Sequence, residues 1–554
     1  MHIVRIGGVS TEPHSADAIG AKAANLARMA ALGLPVPPAF VLPVKLCAAI
    51  ISKDAHAERD LHKGLKEGIE FLERETGKRF GDNRQPLLVS VRSGAARSMP
   101  GMLDTVLNVG CTSTAVQGLI RSSGRPALAW DCRRRFLESY AETVLGIDPA
   151  LFSAHLAGLI VGEGVTSDRE LDCEALERLA ADERALIEER HDDGWLEDAT
   201  AQLESAARAV YQSWMSERAQ SYRRLQQLDH LKGTAVTVQA MVFGNGGLSS
   251  GAGVAFSRDP STGLRQPMID LVLDAQGEDV VSGRWTPDTE ETIARALPEL
   301  AAELENTLSR LEQEFGDVQD VEFTIEDGKL WVLQTRSAKR TPRAALRIAI
   351  DLVHEGLITR HEALDRIAEI DLAALVQVSL ASADTPLLKG IGASGGIAVG
   401  RAAFSSESAR QISTAGDPVI LMRPETSTAD VEGFALAAGI VTSVGARTAH
   451  AALVARQMGK PCIVGCNDMA IDVTADRARL ADATIAGSDW ITIDGDSGNV
   501  YLGQRETTVT RPEAELAEIA TWRAQTHDDH CGSESARSQP VRLRRERKKT
   551  RAGQ

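Results

Sequence analysis

His450 stands at the mouth of an apolar segment, Ala451-Ala452-Leu453-Val454-Ala455, behind the short Gly445-Ala446-Arg447-Thr448-Ala449 stretch. Gly439 to Val444 reads as a buried strand. Gly459, Lys460 and Pro461 stop the helix that follows His450, and Cys462 to Gly465 reads as a second strand. The histidine is therefore expected at a strand-to-helix turn. Unpaired helix N–H groups and the positive end of the dipole stabilise an anion there, whether a phosphate arriving or one bonded to the imidazole. Neutral imidazole is also a competent nucleophile near pH 7. For this stretch alone, the alternative is a histidine that merely caps the helix.

A second set of chemically capable residues lies in the first half. Val89-Ser90-Val91-Arg92 reads as a strand running into Ser93 to Met102, a loop of small residues with a further arginine, Arg97. Its backbone N–H groups can wrap polyphosphate, and Arg92 offers a planar, permanently charged fork for phosphate oxygens. A plain turn with a surface charge accounts for the same residues. Further on, Asp320 to Ile325 and Leu330 to Arg336 both read as strands, with Asp320 and Glu322 on one face because the strand period is two. Glu322 and Gln334 are oxygen donors suited to Mg²⁺, which an ion-bound triphosphate needs, and Arg336 can clamp a phosphate. A solvated acidic sheet face is the alternative.

The elements that must position these groups fall into four stretches. Residues 1–342 look like one nucleotide-binding unit, opened by an alternating strand at His2 to Ile6 and containing amphipathic helices from about 165 to 230. Thr341-Pro342 marks a joint, and 343–388 has helix composition and is expected to be a linker or hinge. Residues 389–505 alternate short strands and helices, which predicts a compact α/β domain closed by a hairpin from Ile491 to Tyr501. From 506 to 554 a tail is expected to be disordered, with Arg542, Arg544, Arg545, Arg547, Lys548, Lys549 and Arg551 crowding its end.

The 554 residues, 43% hydrophobic and 25% charged, suit a globular chain of several domains. No apolar run of about 18 residues and no signal-peptide pattern is present, so a cytoplasmic protein without a membrane partner is expected. Seven scattered cysteines fit reduced thiols, and Cys462 and Cys466 lack a second pair spaced to complete a zinc site. The net charge of −16 argues against nucleic acid as a partner, the basic tail aside.

The segment around His450 resembles the phosphohistidine domain shared by pyruvate phosphate dikinase, phosphoenolpyruvate synthase and enzyme I of the sugar phosphotransferase system. Their pattern is Gly-Gly-Met-Thr-Ser-His-Ala-Ala or a close variant. Here Ala446-Arg447 replaces Gly-Met and Ala449 replaces Ser, while Thr448 keeps its hydroxyl and is a candidate for regulation. The loop Val89 to Gly110 is similar to the nucleotide-binding domain of the pyruvate phosphate dikinase family. So are Gly20 to Leu26 with Gly33 to Pro38, Gln239 to Gly253 with Phe256 to Pro260, and Gln276 to Val281.

That likeness implies a multidomain protein of the α/β and α+β classes, an ATP-grasp unit followed by a swivelling α/β phosphohistidine domain. It implies an ATP site of Lys22, Arg92, Gln239, Asp320, Glu322, Gln334 and Arg336. A loop of Ser98, Met99, Pro100, Gly101 and Met102 closes over it. Mg²⁺ falls to Glu322 and Gln334, and the catalytic roles fall to His450 as phosphocarrier with Arg92 and Arg336. The implied chemistry is the dikinase half-reaction: ATP and phosphate give AMP, pyrophosphate and phosphohistidine.

The family continues into a (β/α)₈ barrel that binds pyruvate or phosphoenolpyruvate, and such a barrel needs about 250 residues, more than follow residue 505. The acceptor is accordingly expected on a separate barrel protein, with a homodimer as a further expected assembly. A regulatory ATP-binding phosphohistidine protein and an inactive remnant of a full dikinase are the alternative readings.

Overall fold

Short apolar strands in the first 340 residues build two antiparallel sheets. The computed structural model describes residues 2–7, 14–97, 99, 102–191, 194–281, 293, 295, 297–382, 385–425, 430–447, 449–480 and 483–537. In the first sheet, Val4–Ile6 (β1), Ala39–Leu42 (β2), Val89–Ala95 (β3), Thr105–Val109 (β4) and Thr234–Ala240 (β5) lie in the order β1-β2-β5-β3-β4. In the second, Gly251–Phe256 (β6), Met268–Leu273 (β7), Gln319–Glu326 (β8) and Lys329–Ser337 (β9) lie in the order β9-β8-β6-β7. Every neighbouring pair in both is antiparallel.

Helices fill the faces of these sheets. The longer ones include Ala21–Ala31 (α1), Ala55–Thr76 (α2), Pro126–Tyr140 (α3), Pro149–Glu163 (α4), Cys173–Glu188 (α5), Ala199–Gln212 (α6), Glu217–Leu225 (α7) and Pro298–Phe315 (α8). The expected helical stretch is thus a series of separate helices. In α5 the buried residues Leu176, Leu179, Ala180 and Ile187 recur at helical spacing. One core packs Leu61 and Leu65 of α2, Phe136 and Tyr140 of α3 and Tyr211 of α6 on Val91, Val106 and Val238 of the first sheet. A second core gathers Leu26 of α1, Leu304 and Leu308 of α8, Val41 of β2, and Val321, Phe323 and Ile325 of β8. This second core joins the two sheets, and the cleft between them is where the functional strands converge.

Thr341 caps the next helix, Pro342–His354 (α9), by accepting from the Ala344 amide, and Pro342 occupies its first turn. Arg258, buried at the end of the second sheet, ties α9 down. Its Nη2 donates to Glu312 of α8 and to Glu355 just past α9, both at 2.7 Å. Arg360–Arg366 (α10) follows. The helical part of the 343–388 stretch is therefore packed on the first half of the chain, and the crossing to the next unit begins at Gln377–Leu380 (β10).

Beyond it come Leu388–Lys389 (β11), Ile391–Ser394 (β12), Ile397–Ala403 (β13), Ser406–Thr414 (α11), Val419–Arg423 (β14), Val431–Leu436 (α12), Gly439–Thr442 (β15), His450–Met458 (α13) and Cys462–Val464 (β16). Met469–Asp472 (β17), Arg477–Leu480 (β18) and Ala483–Ala486 (β19) form a small antiparallel sheet, and Trp490–Asp494 (β20) and Asn499–Leu502 (β21) make the expected hairpin. The main sheet runs β11-β21-β20-β13-β14-β15-β16-β12, with β13 to β16 parallel. Helices α11, α12 and α13 complete the α/β layering.

The stretch after residue 505 corrects the expectation of a disordered tail. Thr507–Thr510 (β22) pairs antiparallel with β10, so the two chains that join the units run side by side as a ribbon. Glu513–Arg537 (α14) then lays Leu516, Ile519 and Trp522 on α9 and α10. Their spacing of three is a helical stripe that the run of basic residues after position 540 obscured. Those basic residues lie outside the described ones. Among the described residues no helix is long and apolar enough to cross a membrane.

Candidate functional site

The first candidate site begins with a contact that only glycine permits. Gly20, the residue before α1, has φ 82, and a Cβ there would lie 2.1 Å from the Gly94 carbonyl oxygen. The start of α1 therefore abuts β3, which brings Lys22 beside Arg92. Asn25, one turn along, donates from Nδ2 to the Thr335 carbonyl of β9 at 2.9 Å, fixing the helix against the second sheet.

A cavity of about 540 Å³ opens at this junction and is lined by Lys22, Arg92, Arg97, Met99, Gln239, Glu278, Glu322, Gln334 and Arg336 among others. Its volume is in the range of small-molecule and cofactor sites. In β3 Arg92 is the one half-buried residue among buried ones, and its register partners are Thr105 and Thr237. Gln239 is the partner of Ser90, and its amide donates to the Pro37 carbonyl at 3.2 Å. Burial pulls the Lys22 ammonium below its usual pKa; Glu322 opposes this, while Arg92 and Arg336 add to it.

Across the cavity, β8 and β9 are in register at Asp320 with Arg336 and at Glu322 with Gln334, after which a bulge shifts the pairing. Gln334 Nε2 donates to Glu322 Oε1 at 3.2 Å. Asp320 does not reach the cavity wall. It is buried behind Arg336, whose Nε donates to Asp320 Oδ2 at 2.8 Å, and its Oδ1 is buried without a hydrogen-bond partner. Burial raises the Asp320 carboxyl pKa, and Arg336 works against that rise.

Among the described residues no group of three or more His, Cys, Asp and Glu side chains could hold a metal unaided. Mg²⁺ does not require one, because it is commonly held by one or two carboxylates together with substrate phosphates. The Glu322 carboxylate and the Gln334 amide, both on the cavity wall, fit that donor chemistry. Met99 lines the cavity, whereas Met102, whose amide donates to the Met99 carbonyl at 3.2 Å, sits behind it. Ser98, Pro100 and Gly101 lie outside the described residues, as does Thr448.

The histidine turn is built as its residue types require. β15 is buried throughout, Ser443 donates to the Met469 carbonyl at 2.7 Å, and Gly445 takes φ 134 at the bend. His450 opens α13, with Ala449 as an N-cap that offers no side-chain bond. The side chain of His450 lies outside the described residues. Gly459 ends the helix in the left-handed conformation, and Lys460 donates to the carbonyls of Phe434, Ala435 and Ala437 at 2.8, 2.7 and 2.6 Å, satisfying the end of α12. The Cys462 and Cys466 thiols are free and buried, and burial raises both pKa values to about 12.

One residue joins the two sites. Leu453, in the first turn of α13, lines the same cavity as Lys22, Arg92 and Glu322. Glu278, within the Gln276 to Val281 stretch and without a sequence signal for a role of its own, lines the cavity and pairs with Arg135 at 3.4 Å.

Comparison with known proteins gives two family models. The model described as pyruvate phosphate dikinase, AMP/ATP-binding domain, matches residues 53–298 and 296–356, and the one described as PEP-utilising enzyme, mobile domain, matches residues 415–498. The chain is 42% identical over 525 residues to the pyruvate, phosphate dikinase of Rhizobium meliloti (strain 1021), covering 91% of this chain and 58% of that protein. Identity to the enzyme of that name from Clostridium symbiosum is 40% over 509 residues, covering 91% and 58%. To the chloroplastic pyruvate, phosphate dikinase 1 of Arabidopsis thaliana it is 40% over 508 residues, covering 91% and 53%. The chain thus spans little more than half the length of these relatives.

Proposed function

The chain belongs to the pyruvate phosphate dikinase family, and from that we propose that it catalyses ATP- and Mg²⁺-dependent phosphorylation of His450, the dikinase half-reaction. The observation that carries this reading is the shared cavity, in which Leu453 of the His450 helix meets Lys22, Arg92, Glu322, Gln334 and Arg336. The arginines and Lys22 neutralise phosphate charge, and Asp320 holds Arg336 at its post. A bound Mg²⁺, held by Glu322 and Gln334, supplies further charge neutralisation on the triphosphate.

The imidazole nitrogen of His450 forms a bond to the β-phosphorus as the bond to the AMP oxygen breaks. Inorganic phosphate then takes the terminal phosphoryl group, leaving pyrophosphate and phosphohistidine. Protein groups act here by alignment and by charge already in place, since the transition state needs little else from them. Removal of the phosphoryl group by pyruvate falls to a pyruvate-binding barrel, and the β10–β22 ribbon is the tether on which the histidine unit turns towards it.

Incubation with ATP labelled in the β-phosphoryl group, Mg²⁺ and phosphate is expected to place acid-labile label on histidine in the parent protein and none in His450→Ala. Equal labelling of both proteins overturns the assignment.

A further inference from the structure

Three residues before His450, buried contacts join the histidine unit to the nucleotide half. The backbone N–H of Arg447 donates to Asp270 Oδ2 at 2.9 Å, and its Nη1 donates to Asp270 Oδ1 at 2.8 Å. The two side chains are only 17% and 3% exposed. Arg456, fully buried in α13, braces the loop: its Nη2 donates to the Arg447 carbonyl and its Nε to the Ala452 carbonyl at 3.2 Å. The guanidinium of Arg456 also packs over Phe256 of β6, 5.1 Å from the ring centroid.

Asp270 is well placed to transmit position. It lies on β7 in register with Val254 of β6, and Gly253 and Val254 line the nucleotide cavity. A carboxylate on that strand pins the loop before His450 relative to the cavity wall itself. Because one of its bonds comes from the backbone of residue 447, the contact fixes the path of the chain as well as the place of a side chain.

Energetics favour a locating role over a gluing one. Burying both charges costs desolvation that largely offsets their attraction, so an intact pair adds little net affinity, while removing one partner takes a charged, buried hydrogen bond from the other. When the units part, both groups regain water. Such a pair sets register in the docked state without making it hard to leave. The family pattern has Met at position 447, which could make none of the side-chain bonds.

We propose that Arg447 and Asp270, with Arg456 behind them, are positioning residues that set the start of α13 against the nucleotide cavity for phosphoryl transfer. This rests on the phosphohistidine reading above. The test uses the full chain with Asp270→Asn, Arg447→Met, the double variant, and the conservative Arg447→Lys. Three quantities are read: the single-turnover rate of histidine labelling at saturating ATP, the affinity for ATP, and amide exchange of the peptide spanning 443–455.

Each neutralising variant is expected to slow labelling about tenfold or more, with ATP affinity within about twofold of the parent, and to speed exchange around residue 447. Arg447→Lys should stay within about threefold of the parent, and the double variant should lose less than the product of the single losses, because both residues act through one shared contact. Parent-like labelling and exchange in both single variants overturns the proposal, as does a fall in ATP affinity that accounts for the lost rate. If the parent protein takes no label at all, the functional reading fails instead. Exchange in Asp270→Asn then still decides whether the ion pair holds the loop.

Discussion

Glu322 and Gln334 face each other across the β8–β9 pair, hydrogen-bonded at 3.2 Å, with Asp320 and Arg336 in the same relation two residues earlier along β8. Two cross-strand pairs thus place an acid and its partner at successive positions on one face. The inner pair lines the cavity with oxygen, and the outer pair supplies it with a held cation.

Glu322→Ala and Arg92→Ala are each expected to cut histidine labelling about a hundredfold or more, since both groups act on charge that develops during transfer. Circular dichroism and the unfolding midpoint should remain close to the parent, because neither side chain belongs to the two cores of this half. Labelling at parent rates in both variants removes this reading of the site.

The depressed pKa of Lys22 gives a pH prediction. With the free-protein value below the ordinary 10.5, neutral lysine accumulates at a lower pH than for a free side chain. A bound polyphosphate favours the ammonium, so ATP binding takes up a proton and its affinity falls as pH rises through that lowered value. Lys22→Arg keeps the charge at all working pH and should move the alkaline loss of affinity upward. An alkaline limb that does not move in Lys22→Arg assigns the titration to another group.

How much of this was legible depended on the range of the interactions. The strands on either side of His450, its place at a helix start and the hairpin after Trp490 follow from local periodicity and turn residues, and the structure has them there. Asp320 looked like one more ligand, because alternation tells which face a residue shares but not what stands between it and the ligand; Arg336 stands there. The Arg447–Asp270 pair joins residues 177 positions apart, and a lone arginine in a loop carries no mark of its partner. The same holds for β10 with β22, which pair across the whole length of the histidine unit.

Helix α14 offers a check on stability. Trp522, 3% exposed, packs with Leu346, Leu352, Ile367 and Ile519, and its ring meets His354 edge-on at 6.4 Å. Trp522→Ala should cost about 3 kcal/mol in the stability of this cluster, as large-to-small changes in cores do. Amide exchange of α14 and α9 should rise sharply while the first-sheet core around Val91 keeps its protection. Unchanged exchange would mean that the helix is not held by this face.

The last prediction concerns where the phosphoryl group goes. If the receiving site is on a partner chain, these 554 residues should exchange phosphate between ATP and histidine yet form no phosphoenolpyruvate when pyruvate is added. The chemical reason is that the enolate of pyruvate needs its own metal-bound site, and in the proposed half-reaction the cation-lined cavity is taken by the nucleotide. Adding a barrel-bearing protein should restore phosphoenolpyruvate formation, and His450→Ala should abolish it, because the group can cross only on that histidine. A coupled assay for phosphoenolpyruvate reads both outcomes. Robust pyruvate-dependent turnover by the chain alone would place an acceptor site within it and overturn the separate-partner arrangement. Labelled histidine that no barrel protein can discharge would leave the first half-reaction standing and exclude pyruvate as its acceptor.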